Sequence, residues 1–304
     1  MNLLLLAFGA RSENHYQAAF AILSFFKDPA ISRVMVMTDQ PDLYRWLERK
    51  SGQAVNGREL PSLEIIDIER STLDEWQGEH HFFWRIKIKA IQHAIEKHPG
   101  EHLMYIDSDT FLASGLSAIV QLLDEGAALM HCAEYRLNES KDHTVERMDR
   151  ILSGKEFAGV PVKSQSWMWN AGVIGLPASR ATELVELTLK VCDEMCATEC
   201  PRRLIEQFAF SVALNHDVPL YPCEGTIGHY WGNKHEWNDF ILRFLADSRL
   251  RDKGVEDAFA RLDKVDWTRL PLEKRPHRQA ERIKKGVDLL MPADQGRHFV
   301  PAGD

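Results

Sequence analysis

Short apolar runs alternate along this chain with longer amphipathic stretches, and that alternation predicts its architecture. Leu3 to Phe8 is uninterrupted apolar, and Gly9-Ala10-Arg11-Ser12 follows as a turn opening a helix with Tyr16, Phe20, Leu23 and Phe26 on one side. Val34 to Met37 reads as a second strand, ending at Thr38-Asp39, with Pro41 opening a helix through Lys50. Leu63 to Ile68 alternates as a third strand. His81 to Lys97 predicts a helix with Phe82, Ile86, Ala90 and Ala94 turned inward.

Leu103 to Ile106 is again apolar, bounded by Pro99-Gly100 before it and acids after it, as a buried strand of a parallel sheet would be. A helix near Leu116 to Leu123 and a strand from Ala127 to Cys132 come next. From about Ser164 the pattern gives a strand at Trp169 to Leu176 and a helix at Ala178 to Cys196. A further helix at Arg203 to Asn215 and a short strand at Val218 to Tyr221 complete it. Strands alternating with helices predict an α/β fold with a doubly wound, mostly parallel sheet. Beyond Trp237 the pattern is helical with loops, so the domains divide into 1–237 and a helical C-terminal extension over 238–304.

Composition narrows the picture modestly. The 304 residues are 44% hydrophobic and 27% charged, ordinary for a globular chain, and the net charge of −8 argues against nucleic acid as a partner. That charge is uneven. The run Glu273 to Lys285 holds six basic residues against two acids. A basic run with Ile283, Val287, Leu289 and Leu290 beside it suits a solvated helix face or peripheral contact with an anionic membrane. Leu3 to Leu6 has no basic residues before it and is too short for a signal peptide, and no stretch reaches the apolar length of a membrane span. The five cysteines, an odd number, suit reduced thiols in a cytoplasmic protein, peripheral at most to an inner membrane. Cys192, Cys196 and Cys200 share a helical spacing, but no fourth ligand stands nearby and Pro201 ends the helix.

The chemistry concentrates where the Leu103 strand ends. Asp107-Ser108-Asp109 places two carboxylates one residue apart at the carboxyl end of a strand, the edge at which open α/β sheets bind ligands. Two acids so close repel unless a cation lies between them. A hard divalent ion, Mg²⁺ or Mn²⁺, accepts such carboxylates and fills its other positions with water and phosphate oxygens. Three later stretches add polar groups to apolar surroundings: Trp169-Asn170-Ala171-Gly172-Val173, the pair Glu206-Gln207 inside an apolar helix, and Gly228-His229-Tyr230-Trp231-Gly232-Asn233-Lys234-His235-Glu236-Trp237. No Gly-x-x-x-x-Gly-Lys-Ser/Thr and no Gly-x-Gly-x-x-Gly is present, which disfavours P-loop and dinucleotide folds.

Taken in order, these four motifs resemble glycosyltransferases of the GT-A fold. They are most similar to the retaining family 8, which includes glycogenin and bacterial lipopolysaccharide galactosyl- and glucosyltransferases. The resemblance spans residues 1–237. It implies metal-dependent transfer of a sugar from a nucleotide-diphosphate donor, a UDP-sugar being favoured, to a hydroxyl of a saccharide or glycolipid acceptor. It also implies Mn²⁺ or Mg²⁺ held by Asp107, Asp109 and His229. By the same resemblance, Arg85 contacts the donor ahead of the acid pair, and Asp107, Ser108, Asn170, Ala171 and Gly172 face the donor. Gly232 lets the diphosphate approach the backbone, Glu134 touches the sugar, and Gln207 lies under the reacting carbon with Glu206 beside it. Phe8, Gly9, Ala10 and Arg11 fall where the base is held, although the family usually has acids there. The family's phosphate lysine stands six residues after the histidine; that place is His235 here, with Lys234 one short. A non-catalytic nucleotide-sugar binder is the competing reading. A haloacid-dehalogenase-like phosphatase fits less well, because its Asp-x-Asp-x-Thr differs from Asp107-Ser108-Asp109-Thr110.

Overall fold

The computed structural model describes residues 1–52, 54–55, 58–250 and 254–274. The basic run beyond Lys274 lies outside the described residues. No helix among the described residues is long and apolar enough to cross a membrane.

The strands that build or flank the site are β1 Asn2–Leu6, β2 Arg33–Thr38, β3 Ser62–Asp67, β4 Leu103–Ile106, β5 Thr110–Leu112 and β6 Ala128–Met130. They continue with β7 Ala133–Arg136, β8 Trp167–Trp169, β9 Val173–Leu176, β10 Leu220–Pro222 and β11 Ile227–His229. Among the described residues there are ten α-helices: α1 Ser12–Phe25, α2 Arg45–Glu48, α3 Arg70–Trp76, α4 Arg85–Lys97, α5 Ser117–Asp124, α6 His143–Leu152, α7 Ala181–Cys196, α8 Ile205–Asp217, α9 Lys234–Leu250 and α10 Val255–Leu262. Seven strands form the central sheet in the order β10-β6-β9-β4-β1-β2-β3. All neighbours are parallel except at β9, which runs antiparallel to both β4 and β6.

Alternation along the strands splits the core into two layers. Leu4, Met35, Met37, Leu103, Tyr105 and Ile174 face α4, α7 and α8, whereas Leu3, Leu5, Val34, Val36, Met104 and Ile106 face α1, α9 and α10. Helices on both faces explain why these strands read as continuous apolar runs.

Three elements differ from the sequence expectation. The stretch Trp169 to Leu176 is two strands: β8 pairs with β7, β9 enters the central sheet, and Asn170-Ala171-Gly172 forms the break between them. Helix α1 is buried nearly all round rather than on one side, because α9 and α10 cover its outer face, with Phe20 edge-on to Phe244 at 5.3 Å. The Pro41 helix breaks into a 3₁₀ turn and the single turn of α2, with Tyr44 between them fully buried.

The C-terminal part shares this core. α9 begins at Lys234 and runs across residue 237, and Ile241, Phe244, Val255 and Phe259 belong to the same apolar layer as Leu3 and Phe20. Trp267 stacks on Phe111 of β5 at 4.3 Å, and Trp237 stacks on that ring from another position at 4.8 Å. The segment 271–274 crosses the start of α9. Pro271 O accepts from Asn233 Nδ2 at 2.8 Å and Trp237 Nε1 at 3.1 Å, and Lys274 pairs with Glu236.

Candidate metal centre

The acid pair sits where β4 leaves the sheet. Asp107 N donates to Gly172 O at 2.8 Å and Thr110 Oγ1 donates to Asp107 O at 2.8 Å, which bends the chain into β5. Strand β5 pairs antiparallel with β11, setting Thr110 opposite His229, and Tyr230 N donates to Asp109 O at 3.0 Å. This hairpin-like pairing carries an imidazole from far along the chain to the acids. One ligand atom from each of Asp107, Asp109 and His229 lies within 4.8 Å of the others. Among the described residues this is the group of three or more His, Cys, Asp or Glu side chains placed to share a metal ion.

Glycine permits the arrangement. A Cβ at Gly172 would come within 2.1 Å of His229 Cε1, so the bare backbone makes room for the ring. The sequence reading assigned that space to a ligand; the imidazole fills it. His131 stands edge-on to His229 at 5.2 Å, with Nε2 3.0 Å from Ile227 O. Burial, and then the neighbouring His229, push the His131 pKa down to about 4.

Two lysines meet the pair. Lys87 Nζ lies 3.3 Å from Asp107 Oδ1 and 3.2 Å from Glu206 Oε1, and donates to Ala171 O at 3.1 Å. Burial opposes charge on Lys87, but Asp107 and Glu206 outweigh it and hold the ammonium above its ordinary range. Lys234 Nζ lies 2.8 Å from Asp109 Oδ2. Burial would raise the Asp109 carboxyl, yet His229 and Lys234 hold it well below the usual carboxylate range. Tyr105 Oη donates to Asp107 Oδ1 at 2.6 Å, and burial followed by Asp107 raises that phenol.

A second polar chain runs along the cleft. Glu134 accepts from Asn170 Nδ2 through one oxygen and from Gln207 Nε2 through the other, each at 2.9 Å. Asn170 Oδ1 accepts from Gly172 N at 3.0 Å and lies 3.0 Å from His229 Nδ1.

These groups line a cleft of about 760 Å³ that reaches from Phe8, Asn14 and Phe83 at the β1 end to Tyr135 and Arg203 at the other. Phe8, Asp107, Ser108, Asp109, Glu134, Asn170, Ala171, Gly172, Gln207, His229 and Lys234 all border it. Lys234 takes the place by the acid pair, and His235 points outward, its side chain 89% exposed.

Five expected donor contacts lie elsewhere. Arg85 turns to α7, with Nε and Nη2 on both oxygens of Asp193 at 2.7 and 3.0 Å and Nη1 on Trp76 O. Two positions further along α4, Lys87 is the cation that reaches the site. Gly9, at φ +91°, spends its N–H on Asp39 and its carbonyl on His15 and Gln40, while Ala10 and Arg11 are exposed beyond the cleft. The space above Gly232 is filled by Glu273, whose Cγ would be 2.5 Å from an added Cβ, and Lys274 N donates to Gly232 O. Among the expected catalytic residues, Glu206 lies under Lys87 as its buried counterion instead of bordering the cleft.

Lys87 is the residue sequence reasoning missed, and a signal for it exists. Lys87, Ala90, Ile91 and Ala94 fall on one stripe of α4, so a charge stands in an otherwise buried row. The five thiols are all free. No protein-family model matches this chain, and no curated protein sequence matches it.

Proposed function

We propose that this chain, on a fold of the GT-A type, transfers a sugar from a nucleotide-diphosphate donor to a hydroxyl of a saccharide or glycolipid acceptor, with retention at the anomeric carbon. The observation that carries the reading is the convergence of Asp107, Asp109, His229, Lys87 and Lys234 on one cleft at the carboxyl edge of parallel strands. Dense carboxylates beside lysines suit a diphosphate bound through a cation.

The donor set fits Mn²⁺ or Mg²⁺. Two hard carboxylates with one borderline imidazole and no thiolate suit Mn²⁺, and Mg²⁺ through the carboxylates. Asp109 Oδ2 is buried, and the half-exposed Lys234 ammonium at 2.8 Å holds the place beside it. An ion held there supplies positive charge against the diphosphate as it leaves.

The chain's own residues do the remainder. Lys234, half-exposed, swings from Asp109 to a phosphate oxygen, adding charge as the leaving group develops it. Lys87 stays fixed under Asp107 and holds the carboxylate in place. Glu134 and Gln207, locked to each other, present a polar wall to the sugar. The aromatic rings of Phe8 and Phe83, 5.9 Å apart, frame the end of the cleft nearest β1, where a nucleobase would stack.

The test combines binding and turnover. Mn²⁺ with a UDP-sugar is expected to raise the melting temperature, by about 2.7 kcal/mol of stability at a hundredfold excess over Kd. Hydrolysis of the UDP-sugar is expected to need the metal and to vanish in Asp109→Ala. Tight binding without turnover at any metal would make the chain a binder. Neither binding nor turnover across a panel of nucleotide sugars would end the reading.

A further inference from the structure

We infer that Asn170 is a positioning residue that decides which nitrogen of His229 carries the proton, and thereby which nitrogen faces the acid pair. The inference rests on the proposed metal reading and names what prepares its nitrogen ligand; sequence reasoning had placed Asn170 against the donor instead.

Three contacts fix the assignment. The backbone N–H of Gly172 can only donate, so the Asn170 atom 3.0 Å from it is the side-chain oxygen. The amide nitrogen then falls 2.9 Å from Glu134 Oε1, an acceptor, as it should. His229 Nδ1 lies 3.0 Å from that same oxygen. An oxygen without a hydrogen cannot donate, so Nδ1 must. In a neutral imidazole Nε2 is then left with its lone pair. Nε2 is also the nitrogen on the carboxylate side, 3.5 Å from Asp109 Oδ1.

The opposite tautomer would turn an N–H toward the position where a cation must sit. Asn170 excludes it, and the surroundings hold Asn170. Glu134 is tied in turn to Gln207 Nε2 at 2.9 Å, and Trp169 and Gly172 on either side are fixed in strands or by Asp107. Gly172 and the edge of His131 leave the ring little room to flip. Ligating histidines owe their orientation to such a partner on the second nitrogen, and its loss lowers metal affinity by about 10–100-fold.

The experiment reads the tautomer and the metal separately. Long-range ¹H–¹⁵N spectra of the whole protein, taken at a pH high enough for the imidazole to be neutral, are expected to show His229 with a protonated Nδ1 and a bare Nε2. Asn170→Ala is expected to lose that state and to bind Mn²⁺ about 10–100-fold more weakly by electron paramagnetic resonance. Asn170→Asp combined with Glu134→Gln exchanges donor and acceptor along the chain, and is expected to restore both. This double variant also serves if Asn170→Ala does not fold. A wild-type His229 protonated on Nε2, or an Asn170→Ala protein that keeps the Nδ1 proton and wild-type Mn²⁺ affinity, overturns the inference. Wild-type protein that shows the Nδ1 proton but binds no Mn²⁺ defeats the metal reading, while the tautomer of Asn170→Ala still decides the role of Asn170.

Discussion

Two lysines meet the two carboxylates of Asp107 and Asp109, and their settings could hardly differ more. The Lys87 side chain is 8% exposed and lies between Asp107 and the equally buried Glu206, whereas that of Lys234 is 50% exposed and touches Asp109 from the rim of the cleft. The same pairing of charges therefore has two meanings. Removing Lys87 leaves Glu206 inside the protein without a partner, so that ion pair is framework. Removing Lys234 leaves Asp109 with His229, and water can replace the lost ammonium. A pair buried at both ends fixes geometry, and one open at its cationic end can exchange that end for a ligand.

The largest effect expected from this contrast is on folding. Lys87→Ala should lower stability by about 3–5 kcal/mol in denaturant titrations, because an uncompensated carboxylate stays buried. A Glu206→Gln change in the same chain should recover part of that loss, and failure to recover any would show that Lys87 acts through packing alone.

The next effect separates the two sides by pH. The Lys87 pKa is raised above its ordinary 10.5, so its contribution is complete below 10.5 and is lost as pH climbs through the raised value. The Asp109 pKa is depressed below 3.8, so its contribution is present above 3.8 and disappears as pH falls through the depressed value. Stability measured against pH should lose part of its alkaline fall in Lys87→Met and part of its acid fall in Asp109→Asn. A tenfold change in a protonation equilibrium between the unfolded and folded chain is worth about 1.4 kcal/mol. Identical profiles in both variants would erase the distinction.

The smallest effect falls on the exposed partner. Lys234→Ala should cost less stability than Lys87→Ala, on the order of 1 kcal/mol, because the ammonium end of the pair is half exposed and water can take its place, although Asp109 is buried. It should nevertheless lower kcat/KM for a nucleotide sugar about tenfold, or about 1.4 kcal/mol of transition-state stabilisation. Equal losses of stability in Lys234→Ala and Lys87→Ala would break the comparison outright.

Much of this was legible in the residues. Apolar runs such as Leu3–Leu6 and Leu103–Ile106 announce strands covered on both faces, and the acids after Ile106 mark the carboxyl edge of the sheet. What could not be read is what the chain does to itself at long range. Strand β9 turns antiparallel between β4 and β6, and nothing local in Val173–Leu176 distinguishes it from a parallel strand. Arg85 and Lys87 are both plausible cations until α7 supplies Asp193 for one and α8 supplies Glu206 for the other. Gly232 suggests open space in sequence, and only the fold brings Glu273 into it.

The packing of Phe111 against both Trp237 and Trp267 carries a consequence for how the protein is made. A chain emerges from the ribosome from its N-terminus, and β4 can find β1 and β2 early. The wall behind the Asp109 turn is complete only after Trp267 has emerged, so an acid pair made in the first half of the chain must wait for nearly the last part of the described residues.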